Sequence, residues 1–514
     1  MTRLSWSIAL AAAACGGAGG PRDAGGPAGD GAGPPAHGAS VLELHAGPSR
    51  AGAYVDAAFT TTAAASLHLD PTFTAKYTGA AFAQALYLDR GGAAQTDLVI
   101  AATEANEVTA FDPTGAVVWR VELGAPQPMP NAAEGANCGN INPLGITGTP
   151  VIDAASGTLY LDAMIRDNSA AHHRIFALSV DDGSTRPGWP VDVGTALKGT
   201  ATPFAPAPQN QRGGLTLVGD RVYVPYGGHF GDCGTYHGWV VAVPVDQPGA
   251  PTAFESTSTQ AGDWTPGGVS SDGTSVFAVF GNGSGTTWGH SEAALRLGAG
   301  AAFSGNASDY WAPASWQTLD QGDTDLAGPA MPLDLPGATP SALLVVFGKD
   351  GNLYLLARDH LGGIAAPLAQ LHAASGVILN TSAMYRTANG TYVVFRAHGA
   401  SGCPGLTGSS SLVSVKIAPG NPPRLSLAWC AGTGSAGSPI STTTDGTSNP
   451  IVWAVGAEGD NRLHGYDGDT GAVVFAGGGA GDAMASTSRF ITPIVARGRM
   501  FVAANGQLYA FTTR

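Results

Sequence analysis

Charge is what this chain has least of. Asp, Glu, Lys and Arg make up 12% of its 514 residues, and only four residues are lysine. The usual charged share is ~25%, so a coiled coil or an ordinary helical enzyme is disfavoured. Net charge is −14; a nucleic-acid surface, which needs clustered cations to release counterions, is excluded. After the first 20 residues no apolar run approaches the ~20 that a membrane-spanning helix requires. Five cysteines are present but no CxxC pair, which leaves a thioredoxin-like redox motif or a zinc ribbon without support. Glycine (75) and proline (35) are abundant, yet together they stay below the ~25–30% at which a chain stops reading as foldable. Hydrophobic residues at 44% supply a core. The composition is that of a glycine-rich, β-rich chain.

The first residues, MTRLSWSIALAAAA, carry Arg3, a short apolar stretch and small residues at its end, the layout of a secretory signal. They run directly into Cys15, Gly16 and Gly17. The arrangement resembles a bacterial lipoprotein signal, whose cysteine is acylated, except that Ala12 stands where Leu is usual. Ordinary cleavage beside Ala14 is the alternative. Residues 16–40 bury too little apolar area to offset chain entropy and read as a flexible tether. The expected organisation is thus a signal at 1–15 with Cys15 as lipidation site, a tether at 16–40, and one domain at 41–514. Four cysteines remain, Cys138, Cys233, Cys403 and Cys430, an even number that suits two disulfides in an exported chain.

One short pattern recurs: VTAFD (108–112), IFALS (175–179), VVAVP (240–244), AALRL (293–297), LYLLA (353–357), LVSVK (412–416), LHGYD (463–467) and LYAFT (508–512). Turn chemistry and a further strand follow several copies, most clearly in FDPTGAVVW and YDGDTGAVVF. Asp bonds the amides ahead of it and Gly accepts positive φ. Two strand-like runs precede each copy. Four short strands per unit, repeated at 45–67 residues, are the mark of a β-propeller. The eighth copy ends at Arg514 with no fourth strand, while TFTAKY (72–77) is a strand without a unit. The expectation is an all-β fold: an eight-bladed propeller of four-stranded antiparallel blades, closed by Thr72–Tyr77 beside Leu508–Thr512, which removes exposed sheet edges. The one helix candidate is the Ala-rich stretch 57–66.

AFDPTGAVVW, GYDGDTGAVVF and GQLYAF resemble the repeats of PQQ-binding-like propellers, the quinoprotein alcohol dehydrogenase superfamily, across about residues 66–514. Segments 138–153 and 222–243 look like an unassigned bacterial branch of it. The resemblance implies a quinone held above a tryptophan and beneath a disulfide of adjacent cysteines, calcium on Glu, Asn and Asp, and an Asp base. This sequence has no adjacent cysteine pair, little glutamate, and no Asp that aligns with the base. Of Trp119, Trp189, Trp239, Trp429 and Trp453, most begin or end strands, where blade packing accounts for them.

The densest polar cluster is GGHFGDCGTYHG, with His229, Asp232, Cys233, Tyr236 and His237 in a loop of the third blade. His, Asp and Cys are metal ligands, but the spacing matches no zinc pattern and Cys233 is wanted for a disulfide; loop packing is the plainer reading. Trp288 and His290 stand in the equivalent loop of blade four, His398 in that of blade six, and Asp460, Asn461 and Arg462 in that of blade seven. With His229, Asp232 and His237 they are candidate ligand contacts at the funnel mouth. Asp320, Asp323 and Asp325 crowd into DQGDTDLAG; calcium is the sharp reading and a solvated turn the plain one, since the later Glu and central Gly of an EF-hand are missing.

In a propeller the second-to-third-strand loops and the links between blades emerge on one face. Cys138 and Cys233 fall there on neighbouring blades, and Cys403 and Cys430 within blade six, so these pairs are expected; a bridge needs Cα atoms within ~7 Å. The leading function is a non-enzymatic binding or assembly platform, resembling in architecture the lipoprotein propeller of the outer-membrane β-barrel assembly machinery. Its expected partner is a protein or a small polar ligand at the propeller face. No cofactor and no catalytic residue are assigned, membrane contact runs only through the lipid anchor, and the chain acts as a monomer. Its expected place is the bacterial envelope, attached to the outer membrane, or else secreted. The alternative is a PQQ-dependent oxidoreductase with calcium. A polysaccharide hydrolase or lyase has no support, because paired carboxylates cannot be read from the sequence.

Overall fold

The computed structural model describes residues 39–92, 95–200, 202–399, 403, 411–432 and 437–513. The signal, Cys15 and most of the tether lie outside the described residues. Eight sheets, antiparallel but for two added parallel strands, follow one another along the chain, and the propeller is the observed fold. Blade 1 comprises Leu86–Leu88, Leu98–Ala102, Glu107–Phe111 and Val117–Glu122. Blades 2 to 8 occupy 151–192, 209–259, 270–312, 326–372, 383–432, 440–475 and 494–512 in turn. The recurring pattern is the third strand of every blade. Glu107–Phe111 is buried at every position, whereas the outer Val117–Glu122 is mostly exposed. Third strands lie between sheet neighbours and adjacent blades, so both their faces must be apolar or hydrogen-bonded.

The turn chemistry is realised as the sequence suggests. Asp112 Oδ1 accepts from Thr114 N at 2.8 Å and Ala116 N at 3.0 Å, and Asp467 Oδ1 from Thr470 N at 2.8 Å. Two glycines do more than turn. A Cβ on Gly471 would lie 2.6 Å from the Trp429 ring, and one on Gly183 2.7 Å from Trp119. Each tryptophan leaves an outer strand and wedges against the next blade, its Nε1 donating to Gly468 O and Val180 O respectively, both at 2.7 Å. Blade packing therefore explains these two residues.

The ring closes through the N-terminal segment. Ala75 and Lys76 pair with Leu508 and Gln507, inside the expected 72–77 segment. Closure extends further: His68 and Leu69 pair with Thr512 and Phe511. The Tyr77 hydroxyl donates to Ala504 O at 2.6 Å. The helix expected within 57–66 is a single turn, Thr61–Ala64, capped by Thr60.

Residues 41–55 do something the repeat pattern does not announce. They cross the propeller axis. Val41 bridges Tyr87 of blade 1, Leu42 O accepts from Ile152 N of blade 2 at 2.8 Å, and Pro48 O from Ser271 N of blade 4 at 2.7 Å. Ala51 O accepts from Met384 N of blade 6 at 2.7 Å, and Ala53–Val55 adds a parallel strand inside blade 7. Arg50, fully buried, fixes the crossing. Its guanidinium donates to Glu43 Oε2 (3.0 Å) and to the carbonyls of Gly214 (3.2 Å), Leu215 (2.8 Å), Gly267 (3.2 Å) and Val269 (2.6 Å). His45, Ala46 and Arg50 all have φ between 55° and 65°, strain that a compact plug tolerates because its surroundings over-determine it. The segment forms a floor across the channel. Among the described residues no helix is long and apolar enough to cross a membrane.

Candidate functional site: the mouth above the channel floor

Second-to-third-strand loops and inter-blade links meet above this floor, and both disulfides lie among them. Cys138 bridges Cys233 with Cα atoms 5.8 Å apart, and Cys403 bridges Cys430 at 6.0 Å; the expected pairing holds. Two groups of charged side chains stand around the mouth.

One group stands on blades 3 to 5. Lys349 Nζ lies 4.8 Å from the Trp264 ring centroid and pairs with both Asp323 and Asp325. Asp325 and Glu292 are fully buried, and each carboxyl raises the cost of charging its neighbour. Burial and the neighbouring Asp325 push Glu292 well up, while Asp325 is raised to about 6 by burial against the pull of Lys349. Leu326 N donates to Glu292 Oε2 at 2.6 Å. Asn282 Nδ2 reaches Asp232 Oδ1 at 3.1 Å, and the Tyr236 hydroxyl donates to the same oxygen at 2.7 Å. Gly281 lets blade 5 approach the Trp264 ring, because a Cβ there would lie 2.4 Å from Leu326 O and 2.9 Å from Trp264 Nε1. Beneath them Asp263 is fully buried and raised to about 8, mainly by desolvation, so it is protonated at neutral pH.

A second group spans the axis. Arg489 of the blade 7–8 link repels both Arg212 of blade 3 and Arg396 of blade 6, and Arg212 lies 5.9 Å from the Phe490 ring. Glu458 Oε1 accepts from Arg489 Nε at 2.9 Å. Glu104, 2% exposed, faces Arg212's charge and is raised to about 7 by burial. A cavity of about 340 Å³ opens beside Glu104 and Glu458, between the loops of blades 1, 7 and 8.

The residues expected at the mouth divide. Asp232 joins the first group through Asn282. The His229 Nε2–H donates to Ala207 O at 2.8 Å, and burial lowers its pKa to about 4. His237 Nδ1–H donates to Ser256 O at 2.8 Å. Trp288 stacks on Tyr310 at 4.5 Å, and His290 packs on Phe254 and Phe303; these aromatics belong to the outer strands of blades 3 and 4 and the segment beside them, so the pair sits on the flank. Asp460, in the second-to-third-strand loop of blade 7, accepts at 2.8 Å from His464 of the third strand. Asp320 belongs to the short helix Trp316–Gln321. Between Asp323 and Asp325 the Lys349 ammonium takes the place a calcium ion would need. Among the described residues no three His, Cys, Asp or Glu side chains converge to hold a metal.

Trp264, Asn282, Glu292, Lys349, Glu104 and Arg212 were not visible as site residues in the sequence. Each stands alone in a turn or link, and only the ring brings them together. The one available signal was rarity: a lysine among four in 514 residues.

No family model matches the chain, and no curated protein does. Solved structures share its fold. Quinohemoprotein alcohol dehydrogenase from Comamonas testosteroni is 12% identical, with a TM-score of 0.59 over 92% of this chain and 80% of that one. A europium-containing methanol dehydrogenase is 12% identical, with a TM-score of 0.59 over 92% of this chain and 98% of its own. BamB from Moraxella catarrhalis is 13% identical, with a TM-score of 0.46 over 87% and 97%. The likeness to the two dehydrogenases shows a shared β-propeller fold, which fixes no activity.

The side-chain types that the quinoprotein resemblance implies are partly present: Trp264, Asn282, Glu292 and Asp325. Their arrangement does not fit quinone and calcium. The Lys349 ammonium lies against Trp264 and engages Asp323 and Asp325, Asn282 is committed to Asp232, and Cys138–Cys233 links residues 95 apart rather than adjacent ones.

Proposed function

We propose that the protein is a non-enzymatic binding platform of the bacterial envelope, anchored through an acylated Cys15 and presenting the mouth of its propeller to a protein or small polar ligand. The observation that carries this reading is the floor built by residues 41–55. A closed channel makes the mouth a blind, charged recess suited to holding something, not a passage. Two disulfides fit an exported chain. Native mass spectrometry of the protein recovered from its own cell envelope tests it. The reading expects an acyl mass at residue 15 and no quinone mass; a bound quinone, or an unacylated chain cleaved beside Ala14, contradicts it.

A second reading, PQQ-dependent oxidation, draws on the residue types gathered around Trp264 and on the raised carboxyls of Glu292 and Asp325, since strongly perturbed carboxyls concentrate at active sites. It requires Lys349 to leave the tryptophan and both aspartates. That makes it the weaker account of the same residues.

A further inference from the structure

The cavity between blades 1, 7 and 8 lies apart from the Trp264 group and needs its own explanation. Its volume of about 340 Å³ is at the lower end of the ~300–1,000 Å³ of small-molecule sites. Loops of the mouth face enclose it: Gly79–Phe82 before blade 1, Glu104 and Ala105, the 140–143 link, Glu458, the 486–488 link and Asn505.

The lining chemistry selects the ligand. Glu104 is its most constrained member. One carboxyl oxygen accepts from Gly145 N at 2.7 Å, while the other, with the Thr147 hydroxyl nearby, has no hydrogen bond though it is buried. A buried polar atom without a partner costs ~1–3 kcal/mol, a penalty that a ligand hydroxyl would relieve. Around it stand carboxamides and hydroxyls of Asn140, Asn142 and Ser486, with the Phe82 ring as an apolar wall. The Oδ1 atoms of Asn140 and Asn142 accept from Arg212 and from Met129 N, which leaves their amino groups as donors.

Charged ligands are disfavoured for a definite reason. Among the described residues no Lys, Arg or His lines the cavity, so an anion would meet two carboxyls and no cation. A cation would find both carboxyls already matched: Glu458 holds Arg489 at 2.9 Å, and Glu104 faces Arg212. What remains is a neutral molecule that donates and accepts hydrogen bonds around its edge and offers a C–H face to a ring.

We infer that this cavity binds a neutral polyhydroxyl ligand, a sugar or polyol of one or two rings' size, with Glu104 accepting one of its hydroxyls. Isothermal titration of the full exported protein with glucose, trehalose and sorbitol tests it, with glucosamine and gluconate as charged controls. Saturable binding of a neutral probe is expected. Glu104→Gln, which keeps an acceptor for Gly145, should weaken it about tenfold, the effect of ~1.4 kcal/mol. Should that variant fail to fold, Ser486→Trp, at an exposed rim position, should abolish binding while leaving the melting temperature unchanged. Val473→Ser, on the outer strand of blade 7, should bind as the parent does. No heat with any neutral probe, tighter binding of either charged control, or undiminished binding by Glu104→Gln or Ser486→Trp would each overturn the inference.

Discussion

Arg50 offers the sharpest perturbation, because its whole environment is hydrogen-bonding and buried. Replacing it with methionine keeps much of the side-chain volume and removes the charge. Two costs follow. Glu43 loses its partner while remaining buried beside Thr216, and stripping one member from a buried ion pair costs ~3–5 kcal/mol. The carbonyls of Gly214, Leu215, Gly267 and Val269 lose their donor, at a net ~0.5–1.5 kcal/mol each where nothing replaces it. A loss of roughly 5 kcal/mol or more is the reasonable sum. Unfolding entropy of ~2.1 cal/mol/K per residue gives ~1 kcal/mol/K for a propeller of this length, so the melting temperature should fall by ~5 °C. Limited proteolysis should begin to cut within 41–55 while the blades persist. The double variant Arg50→Met with Glu43→Leu removes the orphaned charge and should melt above the single variant, because an apolar replacement of a buried pair is often neutral. A single variant within a degree of the parent, or a double variant no better than the single, would refute the view that Arg50 holds the floor.

Other outcomes follow from the same structure. Deleting residues 41–78 should destabilise far more than deleting 16–40, since the longer loss removes both the floor and the strands beside Gln507–Thr512; equal melting temperatures by calorimetry would count against closure. Glu104 and Asp263 lose their protons near 4.5 and 3.8 when unfolded but keep them to about 7 and 8 when folded. The folded state then binds more protons in between, so stability should fall as pH rises from about 4 to about 8, by roughly 3 kcal/mol from Glu104 alone; denaturant titration at pH 5 and pH 8 reads this, and a higher stability at pH 8 contradicts it. Opening the Cys138–Cys233 bridge, which spans 95 residues, should cost ~4.7 kcal/mol and the Cys403–Cys430 bridge, which spans 27, ~3.6 kcal/mol, since the cost grows with the logarithm of the loop closed; serine variants compared by chemical denaturation give the ranking, and the reverse order would contradict it.

The propeller was legible because its signal is local and repeated. Each third strand must be apolar on both faces, and each Asp-Gly turn states its own geometry, so eight copies reinforce one another. Closure was legible for the same reason: Thr72–Tyr77 lacked a unit and Leu508–Thr512 lacked a partner. The disulfides followed from topology once the blades were placed. The floor was not legible, because Val41–Val55 bonds inner strands of blades far apart in sequence and carries no periodicity of its own. The mouth failed similarly. Trp288 and His290 read as contacts from their loop position, yet Phe254, Phe303 and Tyr310 draw them to the flank. Trp264, Lys349 and Glu292 read as isolated residues, yet the packing of blades 4 and 5 brings them within reach of one another.

The central claim is that the mouth holds a partner without oxidising it. Titration of the full-length protein with PQQ and calcium, followed by absorbance and then by dye reduction with alcohols and sugars, tests that claim most directly. The account predicts no stoichiometric quinone spectrum and no turnover. One equivalent of bound quinone that supports dye reduction would contradict it.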